Sequence, residues 1–202
     1  NEGIPSIGVQ HLTDYNSFNF VDPKYIPVNF YKELKKEKIK KFDILIAKDG
    51  ATTGKTVFVS EKFPFSKAAV NEHIFILRAN PDLILEKYLF YILYSPLGQA
   101  QIKKTIHGAA QGGIDQSFVN FVKIPLLPLL IQQKIVEMLD AIGKTQELNE
   151  KQISLADELF QSLLHRELKP TKIWRVKRLG EVCEVNPKIN LDLRAVLLTS
   201  KF

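Results

Sequence analysis

The longest periodic pattern of apolar and polar residues lies between residues 129 and 168 and has the spacing of a helix. Pro125 and Pro128 are not compatible with the interior of a helix, so residues 123–128, just before this pattern, are predicted to be extended. Beyond that point apolar residues recur at helical spacing, and the next proline is Pro170. Gly143 is tolerable within a helix at a cost of about 1 kcal/mol. We predict one helix of about 40 residues, roughly 60 Å long at about 1.5 Å per residue.

Polar residues interrupt the apolar seam of this helix near its middle. Thr145, Asn149 and Gln152 occupy heptad positions that are apolar before and after them. Polar seam residues weaken a coiled coil and fix its register or partner. One interpretation is a helix packed along a single domain. We favour a spacer helix, with a domain at each end and another helix along its length, because the segment after Pro170 is predicted to begin a new domain.

The first 128 residues contain shorter patterns of both kinds. Strands are predicted at 3–9, 42–47, 56–59 and 70–78, and helices at 30–41, 83–94 and 96–106, the last capped by Ser95. Strands and helices that mix without regular βαβ alternation indicate an α+β fold. We therefore predict an α+β domain at 1–128, a spacer helix of coiled-coil type at 129–168, and a truncated second domain at 169–202.

Charge is distributed unevenly along these three parts. Residues 1–128 carry 16 Lys and Arg against 12 Asp and Glu, residues 129–168 carry 4 against 7, and residues 169–202 carry 8 against 3. Two basic segments joined by an acidic helix predict nucleic acid at both ends and protein between them. The lysine-rich segment at 30–41 is interpreted as a solvated surface.

Cysteine usage and hydropathy suggest where the protein acts. The single cysteine, Cys183, excludes a disulfide framework and predicts a reducing compartment, which we take to be the cytoplasm. No apolar run approaches the 18 or more residues of a membrane span, and no signal peptide is visible. The chain begins at Asn1 without a methionine, so we interpret it as a fragment.

One motif resembles a nucleotide-binding loop. Gly50 to Thr56 reads GATTGKT, but a P-loop has four residues between its glycines and here there are three. A P-loop also leads into a helix that holds phosphate, whereas Val57-Phe58-Val59 predicts a strand. Nucleotide hydrolysis is therefore rejected.

Two further catalytic possibilities are also rejected. Asp22-Pro23-Lys24-Tyr25 is one residue away from the D-P-P-Y motif of amino-methyltransferases, but no glycine-rich S-adenosylmethionine loop accompanies it. A turn explains it better. The four histidines and Cys183 form no triad and no metal site at recognised spacing. Cys183 alternates with apolar residues and is predicted to be buried in a strand centred on 181–185, with Trp174 and Leu179 packed against a partner.

Two predicted loops, at residues 48–55 and 107–117, offer the side chains that nucleic-acid binding needs. Lysines neutralise phosphate, small residues let the backbone approach it, and Thr, Asn or Gln meet base edges. Either loop alone is equally consistent with ordinary polar surface. The candidate DNA-binding residues are Lys48, Thr52, Thr53, Lys55, Lys67, Asn71, His107, Gln111, Gln116 and Ser117.

The segment from Phe118 to Val136 resembles the end of a target recognition domain in the DNA specificity subunits of type I restriction–modification systems. That family's pattern is I-P-x-P-P-x-x-E-Q-x-x-I at the opening of its spacer helix. Here Ile124-Pro125-Leu126-Leu127-Pro128 is followed by Gln132-Gln133 and Ile135. Leu127 replaces the first of the paired prolines.

Three more segments resemble the same family in the same order. Gly3-Ile4-Pro5 resembles the G-I-P that enters a recognition domain. Phe42-Asp43-Ile44-Leu45 with Gly50 and Gly54 resembles its G-D-I-L-x-x-x-x-G-x-x-G hairpin. Residues 174–182, WRVKRLGEV, resemble the W-x-x-x-x-L-G-E-V that opens a repeat. The resemblance covers nearly the whole chain.

The resemblance implies a non-catalytic subunit that reads one half of a bipartite double-stranded DNA target. Methyltransferase subunits would dock on the spacer helix, and a restriction and translocation subunit would join them. S-adenosylmethionine, ATP and Mg would belong to those partners, with no cofactor on this chain. The expected subunit-docking residues are Gln133, Glu137, Leu148, Leu155 and Leu159.

Other interpretations remain open. The chain could be the recognition domain of a fused type II restriction–methyltransferase, or a half-subunit that forms a homodimer through the spacer helix. An RNA- or protein-binding α+β module unrelated to this family is the alternative from a different class.

Overall fold

A computed structural model describes residues 3–14, 16–108, 112–169, 175 and 177–184. The chain divides into two compact units, Asn1–Glu147 and Leu148–Phe202. The described strands are β1 Ile4–Ile7, β2 Lys24–Ile26, β3 Ile44–Ala47, β4 Thr56–Phe58, β5 Ala69–Val70 and β6 Ile74–Leu77. The described α-helices are α1 Val28–Glu33, α2 Glu86–Tyr94, α3 Pro96–Lys103 and α4 Leu129–Glu167, and the 3₁₀ helices are η1 Val9–His11, η2 Gln116–Asn120 and η3 Leu179–Glu181.

The strands form two three-stranded sheets, in the orders β2-β1-β5 and β4-β3-β6. In the first sheet, β1 pairs antiparallel with β2 and parallel with β5. In the second sheet, β3 pairs antiparallel with both neighbours, and Leu45 lies opposite Val57 on one side and Ile76 on the other. These mixed strands and helices confirm the predicted α+β class.

The central strand β3 is buried on both faces, which explains its uninterrupted apolar sequence. Leu45 and Ala47 belong to one core, together with residues of the first sheet such as Ile7 and Val70. Ile44 and Ile46 point to the opposite face and pack in a second core against α2 and α3. One strand therefore supplies both cores of the unit.

The α2–α3 pair follows the predicted boundary. Ser95 ends α2, and its Oγ accepts the backbone N–H of Gly98 at 3.1 Å as the cap of α3. Pro96 occupies the first turn of α3, where a missing N–H costs nothing. The predicted cap is confirmed.

The lysine-rich segment 30–41 is helical only as far as Glu33, so the predicted helix was wrong beyond that residue. Ile39 is buried, and its backbone N–H donates to the carbonyl of Ala68 at 3.0 Å. The N–H of Val70 donates to the carbonyl of Glu37 at 2.9 Å. Pairing with the β5 region therefore overrides the helix propensity of the lysines.

The predicted strand 70–78 is divided between the two sheets. Asn71 makes a turn, accepting the N–H of His73 at 3.1 Å through its side chain, and β6 begins at Ile74. The short strand β2 lies within a region that the sequence indicated only as turns. It pairs with Ile4 and Pro5 of β1 and is the edge strand of the first sheet.

The long helix α4 begins at Leu129 as predicted and runs for 39 residues. Its first half packs within the first unit. Asp140 accepts a hydrogen bond of 2.5 Å from the Tyr91 hydroxyl and one of 2.7 Å from the Lys87 ammonium. Burial and the bond to Asp140 raise the pKa of Tyr91, so the phenol remains a donor.

In the second unit, the segment around 181–185 differs from the predicted strand. Leu179–Glu181 forms a 3₁₀ turn, and Glu181 caps it by accepting the N–H of Arg178 at 3.4 Å. Cys183 is exposed, so its predicted burial in a strand is wrong. Leu179 is exposed in the single chain, and its predicted packing against a partner stays a prediction. Trp174 and Val185 lie outside the described residues. None of the helices in the described part of the chain combines the length and apolarity needed to span a membrane.

Candidate nucleic-acid interface

The β3–β4 hairpin ends in a compact loop at residues 48–55. Gly50 and Gly54 adopt φ values of +79° and +89°, which residues with a Cβ rarely accept. Thr53 donates its hydroxyl to the Gly50 carbonyl at 2.7 Å, and the chain enters β4 at Thr56. The P-loop-like segment therefore leads into a strand, as the sequence predicted.

A second loop is hydrogen-bonded onto this hairpin. The N–H of Ile114 donates to the Lys48 carbonyl at 2.7 Å, and the hydroxyl of Thr53, which is shared with the Gly50 carbonyl, also lies 3.0 Å from the Gly112 carbonyl. Gly113 pairs with His107 through two backbone bonds of 3.0 Å. A Cβ on Gly113 would lie 3.0 Å from the Lys48 carbonyl, so a larger residue there would push the two loops apart by a few tenths of an ångström.

The Asn71–His73 turn is the third component. The N–H of Lys48 donates to the His73 carbonyl at 2.9 Å. The His73 Nδ1 lies 2.8 Å from Oδ1 and 3.0 Å from Oδ2 of Asp49. Both side chains are partly exposed. Sequence reasoning missed this pair, because nothing in a 24-residue separation indicates that the two loops meet.

Three of the predicted DNA-binding residues line one cavity of about 280 Å³ beside β6, namely Lys48, Asn71 and Gln116. The Lys48 ammonium lies 5.8 Å from the centre of the Phe75 ring, which holds it over an apolar surface. Gln116 is exposed at the beginning of η2. The cavity therefore combines lysines and amides, the kinds of side chain that contact phosphates and base edges, with the carboxylates of Glu37 and Glu72.

Three other predicted residues, Thr52, Thr53 and Lys55, line a different cavity of about 640 Å³ against α2 and α3. The Lys55 ammonium forms a 2.9 Å ion pair with Asp14, and its side chain is 19% exposed. It also donates to the Leu12 carbonyl at 3.4 Å. Lys55 is therefore neutralised by a carboxylate, whereas no salt bridge joins Lys48 to a carboxylate within the described part of the chain.

The remaining predicted residues are dispersed. His107 lies 3.5 Å from Asp115 through its Nε2. The N–H of Ser117 donates to Asp115 at 2.7 Å, and hydrogen bonding with Ser117 lowers the pKa of that carboxyl. Lys67 is exposed just before β5. Gln111 lies outside the described residues.

The predicted docking residues all lie on α4. Gln133 and Glu137 are exposed in the first unit and joined by a 3.1 Å hydrogen bond. In the second unit, Leu148, Leu155 and Leu159 are 52%, 52% and 61% exposed. Apolar side chains exposed along one helix are typical of a surface that another protein segment covers.

No group of three or more His, Cys, Asp or Glu residues in the described part of the chain could hold a metal ion. The exposed Cys183 lies in the second unit.

The fold and these surfaces define a class: an α+β domain that presents a polar, lysine-containing loop surface and continues into a long exposed helix. The family model described as type I restriction modification DNA specificity domain matches residues 3–156, and the chain belongs to this family. The resemblance stated from the sequence is thereby confirmed. No curated protein matches the chain.

Two solved structures are similar in fold. One, from work on complex assembly and conformational transition of the type I R-M system, is 18% identical with a TM-score of 0.60, covering 90% of this chain and 48% of that chain. The HsdS subunit from Thermoanaerobacter tengcongensis is 19% identical with a TM-score of 0.54, at the same coverage of 90% and 48%. The chain thus spans about half the length of either.

Proposed function

We propose that this chain is one recognition half, with its spacer helix, of the DNA specificity subunit of a type I restriction–modification complex. Residues 1–128 read one half of a bipartite target. The helix at 129–168 separates the two halves and docks the methyltransferase and restriction subunits, and residues 169–202 begin a second recognition domain. The protein acts on cytoplasmic DNA.

The observation that carries this proposal is the family match at 3–156, which includes both the loop surface and most of the helix. The chemistry of the loop surface supports it. Lys48 neutralises a phosphate, while Asn71 and Gln116 can each bridge the N6 and N7 of adenine in the major groove. Loops on a rigid two-core scaffold are where recognition residues are commonly found.

The exposed apolar residues of α4 support the docking role. Leu148, Leu155 and Leu159 remain half or more exposed in the chain by itself. A facing helix, from the second recognition half or from a second copy of the chain, would cover them. The chain supplies no chemistry of its own in this proposal. S-adenosylmethionine, ATP and Mg act on the partner subunits.

Methylation mapping tests the proposal. The full-length protein is expressed with its methyltransferase subunits in a host without other DNA methylation, and methylated bases are mapped genome-wide. We expect one bipartite motif whose two halves are separated by a fixed gap. The absence of any methylated motif, or a continuous motif, would overturn the proposal.

Substitutions at the loop surface refine this test. Asn71→Ala with Gln116→Ala should relax one half of the motif and leave the other half and the gap intact. The matched control is Asn29→Ala with Gln161→Ala, since both residues are exposed and line neither cavity of the loop surface. The control should leave the motif unchanged.

A further inference from the structure

Four lysines that follow α1 gather beside β6. Lys35, Lys36, Lys38 and Lys40 line a cavity of about 470 Å³ together with Ile76 and Arg78. The segment is held in place by the burial of Ile39 and by its backbone bonds with the β5 region. The lysines therefore project from a fixed backbone, and we call this surface the lysine track.

The basic residues of the track differ in how their charges are compensated. Arg78 makes two bonds of 2.7 Å with the buried Asp43, and this bonding raises the pKa of Arg78. Lys38 donates to the Lys32 carbonyl at 3.0 Å and lies over the Tyr31 ring.

The other three lysines of the track, Lys35, Lys36 and Lys40, are exposed. Within the described residues, no salt bridge joins any of the three to a carboxylate. Clustered like charges repel one another and destabilise a fold. Glu37 is the single acidic residue among residues 35–40, so the segment keeps a net positive charge that an anionic ligand would offset.

The track is continuous with the loop surface. Lys36 and Ile76 line both the 470 Å³ cavity and the 280 Å³ cavity that contains Lys48, Asn71 and Gln116. An anion bound along the track would therefore lie beside the residues that contact bases in the proposed function. A DNA strand has this form, since its phosphates continue on either side of the bases being read.

We propose that Lys35, Lys36 and Lys40 bind phosphates of one DNA strand next to the recognition loops. This inference rests on the proposed function and adds a site that positions the duplex without reading its sequence. Because phosphate contacts release counterions, each one contributes about 0.9 to the slope of log affinity against log salt. Three contacts make the wild type lose about 40-fold more affinity than a variant without them between 50 and 200 mM salt.

The test measures the affinity of the full-length protein for a 30-base-pair duplex of arbitrary sequence over a salt series. The test variant combines Lys35→Gln, Lys36→Gln and Lys40→Gln. The control removes the same charge through Lys24→Gln, Lys62→Gln and Lys123→Gln, which are exposed and line neither cavity beside β6. A third variant replaces Lys35, Lys36 and Lys40 by arginine, which retains the charge.

We expect the slope to fall by about 2.7 in the glutamine test variant and to remain near the wild-type value in the control and in the arginine variant. Equal slopes in the test variant and the control would overturn the lysine track while leaving duplex binding itself in place. A wild type that does not bind duplex DNA, or binds it independently of salt, would overturn the proposed function and the track together.

Discussion

Gln132 accepts the backbone N–H of Leu85 at 2.8 Å through its side-chain Oε1. Its Nε2 donates to the carbonyls of Leu83, at 3.1 Å, and Leu127, at 2.7 Å. The side chain is completely buried, with 0% exposure. The Gln132 amide thus joins the beginning of the long helix to the turn before α2, and it acts as hydrogen-bond donor and acceptor at once.

A carboxylate at this position would accept but could not donate. We predict that Gln132→Glu lowers the free energy of unfolding by about 2 kcal/mol or more at pH 7, because two carbonyls lose their donor and a charge is placed at a fully buried position. Burial raises the pKa of the introduced carboxyl above its unfolded value near 4.3. The loss should therefore be smallest in acid and grow as pH rises through that value.

Urea denaturation between pH 4 and 8 measures this effect. The control is Gln133→Glu, the same change at the adjacent exposed position, which should alter stability by about 0.5 kcal/mol or less. A similar loss for both variants would contradict the assigned role of Gln132.

Gly143 offers a stabilising substitution. A Cβ built there meets nothing within 4 Å, and the residue lies inside α4. Gly143→Ala should raise the free energy of unfolding by about 0.5–1 kcal/mol, because alanine loses less backbone entropy in a helix. Thermal denaturation checks it. The contrasting helical position is Gly98, where a Cβ would lie 2.0 Å from the Ile92 carbonyl, so Gly98→Ala should strongly destabilise.

His11 makes stability depend on pH. It is 1% exposed, its Nδ1 accepts the Gly8 N–H at 2.9 Å, and burial lowers its pKa below 6.5. His11 therefore stays neutral in the native state at pH values where the same histidine in the unfolded chain takes up a proton. The contribution of His11 to the free energy of unfolding should be fully present above about pH 6.5 and fall as pH decreases towards the pKa of the native state. The total loss should be about 1.4 kcal/mol for each unit by which folding lowers the His11 pKa.

The midpoint of thermal unfolding, compared at pH 7.5 and 5.5, measures this dependence. His11→Asn should reduce the difference between the two midpoints, whereas His165→Asn, on an exposed part of α4, should leave it unchanged. An undiminished difference in the His11 variant would assign the pH dependence to other groups.

The length of α4 should determine the gap in the recognised sequence. Inserting or deleting one heptad within 148–155 moves the two ends by roughly 10 Å, or about three base pairs of duplex. Methylation mapping should show a changed gap and unchanged half-sites. Substituting the same residues without changing their number should leave the gap as it was. Altered half-sites with an unchanged gap would contradict a spacer role.

Several elements could be predicted because their signals are local. The β3 sequence is apolar throughout since both faces are buried, Ser95 and Pro96 mark a helix start, and Leu129 follows the last proline before α4. The conformation of residues 34–41 could not be predicted in this way. Its lysines favour a helix, and only the distant Ala68 makes the observed pairing preferable.

The candidate site was predicted by residue type but not by arrangement. Lys48, Asn71 and Gln116 meet because three loops are hydrogen-bonded together, whereas Lys55 turns towards Asp14 on another side. These contacts join residues far apart in sequence, so they depend on topology. The Asp49–His73 pair illustrates this, since neither residue carries a local signal for the other.

The backbone bonds between the two loops also constrain how a new specificity could arise. Lys48 with Ile114, and Thr53 with Gly112, hold these positions of the hairpin loop and the second loop together. An insertion that displaces Lys48 or residues 112–114 would break these bonds, whereas replacing an outward-facing amide breaks none of them. New target sequences should therefore evolve through side-chain replacement, with the bonded backbone positions among the last features to vary.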